Sequence, residues 1–221
     1  SSPLPAAFSL DTNTWIDSAT ESPVTTSKTG TAWDVKRSLV WVVDPVGKVY
    51  SFDPVLDLWQ THGGGFPLNI DFTAAIDPIR DLLVLTNFRS PDLAKKVVVV
   101  DLNSPNDDWF LVNTVGTTSI ENYSKVGFEW VPQLGGFIAW KSGYDLFLLT
   151  PPTSDIRNDP WVWSKIITTG VTPDAPRNGP YSKFQYVPEL GIALVASSVT
   201  GSVSAIRLVE TADLIYANGF E

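Results

Sequence analysis

The chain has no cysteine, no methionine and a single histidine, His62. Without cysteine, disulfide frameworks, thiolate nucleophiles and thiolate-bound metals are excluded. With one imidazole, any His-dependent metal site or triad has His62 as its only candidate. Basic charge is scarce too: 15 Lys and Arg against 24 Asp and Glu leave a net charge of −9. Nucleic acid is therefore not an expected partner, because phosphate contacts need clustered Lys and Arg. An anionic membrane surface is disfavoured on the same ground. No apolar run approaches the roughly 20 residues of a membrane helix, so no membrane insertion is expected. No Gly-rich loop precedes a helical pattern, which removes the case for nucleotide binding.

What the chain does have is repetition. Four phrases share an apolar or aromatic residue, a tight turn and a second apolar run: Trp33-Asp-Val-Lys-Arg-Ser-Leu39, Ile76-Asp-Pro-Ile-Arg-Asp-Leu82, Trp130-Val-Pro-Gln-Leu-Gly-Gly136 and Tyr186-Val-Pro-Glu-Leu-Gly-Ile192. They start 43, 54 and 56 residues apart. A second phrase lies between them: Phe8-Ser-Leu-Asp11 before Trp15, Tyr50-Ser-Phe-Asp53 before Trp59, Val98-Val-Val-Asp101 before Trp109, and Phe147-Leu-Leu-Thr150 before Trp161. Short β-rich runs bounded by Asp, Pro, Asn and Gly are strand signals, and no stretch holds a helical period. The chain reads as all-β.

Joined, the phrases make a four-stranded unit whose inner hairpin is the first phrase and whose outer pair is the second. Units begin near Thr31, Phe72, Val126 and Lys183. A period of this length made of short strands predicts propeller blades, since one blade cannot bury its own faces. We expect residues 1–221 to form a single β-propeller domain of four or five four-stranded blades. The fourth unit lacks an outermost strand in this reading. The N-terminal segments Ala6–Leu10 and Thr14–Ala19 are expected to supply it and close the ring.

These strands, with Trp15, Trp59, Trp109 and Trp161 and the Trp130-Val-Pro and Tyr186-Val-Pro hairpins, resemble the kelch-like and galactose-oxidase-like propeller group. The resemblance covers nearly the whole chain and implies a binding surface on one loop face. The Gly-Gly pair that kelch repeats carry after the second strand is absent there; Gly63-Gly64-Gly65 follows an outer strand instead. A copper oxidase of that group would need Cys and more than one His, so that activity is excluded. The ending Asp213–Glu221 is similar to a short tail on exported bacterial proteins, which implies a secreted or periplasmic location. Ser1-Ser-Pro-Leu-Pro lacks the basic start and apolar segment of a signal peptide, as a mature exported form would.

Nine Trp, six Tyr and eleven Phe invite carbohydrate stacking. The four Trp that recur once per unit are expected to pack the blades rather than meet a ligand. Links between blades and links from second to third strands share one face, and loops on a rigid scaffold carry function. That face gathers His62, Asn87, Arg89, Asn122, Tyr123, Lys141, Tyr144, Arg177 and Asn178. Of these, Asn87, Arg89, Tyr123, Lys141, Tyr144, Arg177 and Asn178 are the expected ligand contacts. Arg, Lys, Asn and Tyr together suit a polar or acidic ligand such as a uronate. The alternative for each is an ordinary solvated loop.

The acidic stretch Asp101–Asp108 offers oxygen ligands for calcium but lacks the spacing and central Gly of an EF-hand loop, and its residues are common turn formers. Asp34, Asp44, Asp53, Asp77 and Asp101 sit at strand ends, where Asp caps turns. No catalytic constellation emerges, and no metal or cofactor is expected. The expectation is a secreted, non-enzymatic propeller binding a carbohydrate or protein ligand. A shared ring or homo-oligomer built between chains is one rival; a glycosidase, or a lyase using His62 with Tyr123 or Tyr144, is the other.

Overall fold

The computed structural model describes the chain except residues 1–5, 10–12, 27, 67, 69–70, 87–95, 107, 117–119, 121–124, 175, 177, 199–200, 209–213 and 218–221, and except the side chains of 6–9, 15–17, 182 and 214–217. A short hairpin, β1 (Ala6–Ser9) and β2 (Thr14–Asp17), is followed by sixteen strands in four antiparallel meanders. The first is β3 (Gly30–Asp34), β4 (Leu39–Val43), β5 (Lys48–Asp53) and β6 (Leu58–Gly64). The second is β7 (Thr73–Asp77), β8 (Leu82–Thr86), β9 (Lys96–Asp101) and β10 (Trp109–Gly116). The third is β11 (Gly127–Val131), β12 (Gly136–Trp140), β13 (Asp145–Thr150) and β14 (Trp161–Thr169). The fourth is β15 (Phe184–Val187), β16 (Ile192–Ala196), β17 (Val203–Arg207) and β18 (Leu214–Ala217).

The meanders begin where the repeated phrases place them, and each phrase has a defined geometry. The residue just before the second strand lies in the left-handed region every time: Ser38 at φ 56°, Asp81 at 57°, Gly135 at 59° and Gly191 at 62°. Such a residue turns the chain sharply enough to return it as an antiparallel neighbour. In the first two meanders a buried Asp holds the turn. Asp34 Oδ1 accepts the backbone N–H groups of Lys36 and Arg37 at 3.0 and 3.1 Å, and Asp77 Oδ1 those of Ile79 and Arg80 at 2.9 and 3.2 Å. Arg37 and Arg80 then reach back to the same carboxylates at 3.0 and 2.6 Å. In the last two, Pro132 and Pro188 fix the turn instead, which Pro does by presetting φ.

Three apolar clusters lie between successive meanders. Trp41, Val43, Val49, Phe66, Leu83, Leu85, Val98 and Val100 fill the space between the first and second. Val84, Val99, Phe128, Trp130, Phe137, Phe147, Trp161 and Trp163 fill that between the second and third. Val131, Ile138, Trp140, Leu146, Phe184, Tyr186, Val195 and Ile206 fill that between the third and fourth. Each strand alternates between two faces, so a central meander buries both. The innermost strands pack in series, β3 on β7, β7 on β11 and β11 on β15. At the rim, β10 pairs parallel with β14 through Thr114–Gly116, and β14 with β18 through Thr168 and Thr169. The result is an all-β, propeller-like fold.

One expectation is corrected. The fourth meander does not take its outermost strand from the N-terminus: β18 fills that place, paired with β17 through Ala205, Ile206 and Arg207. Among the described residues, β1 and β2 form a two-stranded sheet of their own. The following residues dock on the first meander, where Ser18 Oγ and the Ala19 N–H donate to the Asp57 carboxylate and Thr20 Oγ1 to its backbone carbonyl.

Candidate functional site

The innermost strands of all four meanders line one cavity of about 730 Å3. Its mouth lies where β7, β11 and β15 begin, and Pro78, Pro132 and Pro188 border the far end. A volume of this size suits a small-molecule ligand.

At the mouth, three residues from three successive links meet. Tyr181 Oη donates to Asp71 Oδ1 at 2.8 Å, and Lys125 Nζ stands 3.5 Å from the same oxygen. The Lys125 N–H also donates to the Asp71 carbonyl at 3.3 Å. All three have left-handed backbone: Asp71 at φ 76°, Lys125 at 62° and Tyr181 at 43°. Outside glycine that region is uncommon, and such strain concentrates where the surroundings hold a site in place. Gly179 makes the close approach possible, since a Cβ there would lie 2.4 Å from Lys125 Cβ.

Lys141, from the turn after β12, joins the group electrostatically. Burial and the neighbouring Lys125 charge push its pKa below the ordinary lysine value, while Asp71 pulls it up. Tyr144 shares that turn; the residue is 49 % exposed, and its carbonyl accepts both the N–H and the hydroxyl of Thr168 at 3.1 and 2.9 Å. Trp140 Nε1 donates to the Gly143 carbonyl at 3.1 Å and holds the turn from below. Asn178 is exposed beside Gly179. Of the expected contacts, then, Lys141 comes to the mouth, Tyr144 stands in the same turn and Asn178 borders Gly179. Asn87, Arg89, Tyr123 and Arg177 lie outside the described residues.

Below the mouth, Glu129 on β11 lines the cavity and makes no hydrogen bond or ion pair among the described residues. Burial pushes its carboxyl up to about 8. Phe72, Trp33, Tyr181 and Tyr186 add aromatic surface to the walls. Asp71, Lys125, Tyr181 and Glu129 were all missed in the sequence. The first three differ in type and announce no motif. Glu129 alternates with Phe128 and Trp130 as any outward-facing strand residue does.

Other sequence candidates have structural roles. Asp44, Asp53 and Asp101 each accept backbone N–H groups from their own turns. Within the acidic stretch, Asn106 Oδ1 accepts the Gly63 N–H at 3.2 Å and Asp108 pairs with Arg157 at 2.5 Å. Trp161 is buried, with its indole N–H on the Ile156 carbonyl, and Trp109 packs on the first core cluster. His62 lies 2.8 Å from Ser51 Oγ and against Trp41, and burial holds its pKa down; it does not line the cavity.

No family model matches the chain, and no curated protein matches it. Among solved structures it is similar to dihydro-heme d1 dehydrogenase NirN in complex with DHE, at 15 % identity and a TM-score of 0.45. The match covers 81 % of this chain, which spans 34 % of that one.

Proposed function

We propose that the protein is a non-enzymatic propeller of four kelch-like blades that binds an acidic or polar carbohydrate at the channel mouth. The observation that carries this reading is the convergence of Asp71, Lys125 and Tyr181 in left-handed conformations at a cavity edge. Lys125 and Lys141 supply positive charge for a uronate carboxylate, and Asp71 with Tyr181 supplies acceptor and donor for hydroxyls. Tyr144 and Trp33 offer ring faces for stacking. We propose a secreted or periplasmic location, which the resemblance of its tail to exported proteins supports and cell fractionation tests. An array of neutral and uronate-bearing oligosaccharides is the direct test of binding. Selective binding weakened by Lys125→Ala and Lys141→Ala supports the reading; no binding at high protein concentration overturns it.

A second reading, assembly between chains, is favoured by the ends of the packing series. Trp33 and Val35 on the first meander are 52 % and 70 % exposed, and among the described residues β15 does not pack on β3 as the other inner strands pack on one another. Light scattering that gives a strict monomer removes it.

A further inference from the structure

We propose that Glu129 makes the channel interior a second contact point for the glycan held at the mouth, and that the part reaching it is an uncharged, hydroxyl-bearing ring. The inference rests on the carbohydrate reading above and adds the chemistry of what lies below the mouth.

The hairpin registers make the position comparable across repeats. Ala32 faces Trp41, Ala75 faces Val84, Glu129 faces Ile138 and Gln185 faces Leu194. Each lies two residues before the end of its innermost strand. The first two meanders place a methyl group there, so the repeat itself does not require a carboxyl. Glu129 shares its strand face with Gly127 and Val131, and that face is turned toward Phe184 and Tyr186. A carboxyl against such a wall carries a desolvation penalty that no partner among the described residues offsets.

Two chemistries could satisfy it, a cation or a hydroxyl group. A cation would enter past Lys28, Lys125 and Lys141, and Asp71 is already engaged by Lys125 and Tyr181. The surrounding titratable groups are Lys28 before β3, Asp71 and Asp77 from the second meander, Lys125 just before β11, Lys141 after β12, and Tyr181, Lys183 and Tyr186 from the fourth. Asp77 is paired with Arg80, Tyr186 donates to Gln133, and none of them pairs with Glu129. Its raised pKa keeps the carboxyl protonated at neutral pH. A protonated carboxyl both donates and accepts, as a sugar hydroxyl does. β11 begins at Gly127, two residues after Lys125, and rises about 7 Å to Glu129, so one oligosaccharide can touch both places.

The test uses the tightest-binding array oligosaccharide and its uncharged counterpart, with uronate reduced to the hexose. Titration calorimetry on the full chain at pH 6.5 and 9.5 compares wild type, Glu129→Gln, Glu129→Leu and Lys141→Ala. We expect the uncharged probe to lose about tenfold in affinity at pH 9.5 in wild type, and about tenfold at pH 6.5 in Glu129→Leu. Glu129→Gln, which keeps a donor and an acceptor, should bind with no pH dependence between the two. Lys141→Ala should weaken the uronate probe more than the uncharged one. If both Glu129 variants bind both probes like wild type, with the same pH profile, the channel contact is wrong and the mouth reading stands. An array without any binder removes both.

Discussion

Glu129 occupies the place that Ala75 holds one meander earlier, each facing its hairpin partner, Ile138 or Val84, two residues before the strand ends. The exchange puts a carboxyl where the first two meanders carry only a methyl group, and its energetic signature is measurable without any ligand.

The folded-state pKa of Glu129, about 8, lies above its ordinary value of 4.5. The native chain therefore holds a proton that the unfolded chain has lost throughout that window. Stability should fall as pH rises from about 4.5 to about 8 and level off above, with no contribution below, where both states are protonated. Glu129→Leu should remove this slope and raise stability at pH 7.5 by on the order of 3 kcal/mol. Denaturant melts at pH 4, 6 and 8.5 check both. Equal slopes in wild type and variant would refute the assignment.

Lys141 is held below the usual lysine range by burial and by Lys125. Lys125→Ala should move the Lys141 pKa upward, and Asp71→Asn should move it further down. NMR titration of the Lys141 side chain reads both shifts. A Lys141 value unmoved by either change would separate it from the mouth.

The Asp77 carboxylate is fully buried, and its bonds from Ile79, Arg80 and the Arg80 guanidinium organise the second inner hairpin. Asp77→Ala should cost about 3 kcal/mol, since it leaves turn N–H groups and the Arg80 charge without their partner. Urea unfolding measures it.

Ser38 takes the left-handed position that glycine fills at Gly135 and Gly191. Ser38→Gly should stabilise the chain by roughly 0.5–1 kcal/mol, because glycine adopts that conformation without the Cβ penalty. Thermal melting checks the sign; a loss of stability would show that the hydroxyl has a role in the turn.

The hairpins were legible because their turns carry strong local chemistry: Asp followed by a left-handed residue, or Pro followed by Gly. Unit starts near Thr31, Phe72, Val126 and Lys183 fall within a residue or so of the strands. The last strand was not legible, since Leu214–Ala217 is short and lies in a segment that resembles a tail. The mouth was only partly legible. Lys141 was singled out from topology, which brings links and second turns to one face, and its charge couples to Lys125 and Asp71. Asp71, Lys125 and Tyr181 were not, because left-handed backbone at Lys or Tyr leaves no compositional trace. Glu129 was within reach: aligning the four phrases sets Ala32, Ala75, Glu129 and Gln185 in one column.

The parallel rim pairs join the second, third and fourth meanders into one continuous twelve-stranded sheet, while the first remains a separate four-stranded one. Side-chain packing, the ties from Lys36 and Arg37 to Asp81 and Asn103, and the Gly63 N–H on Asn106 hold that first unit. Backbone hydrogen bonding thus runs unbroken through three meanders and stops at the seam with β3–β6. Asp71, Lys125 and Tyr181 lead into strands on the continuous side of that seam, so the groups at the mouth share one hydrogen-bonded scaffold.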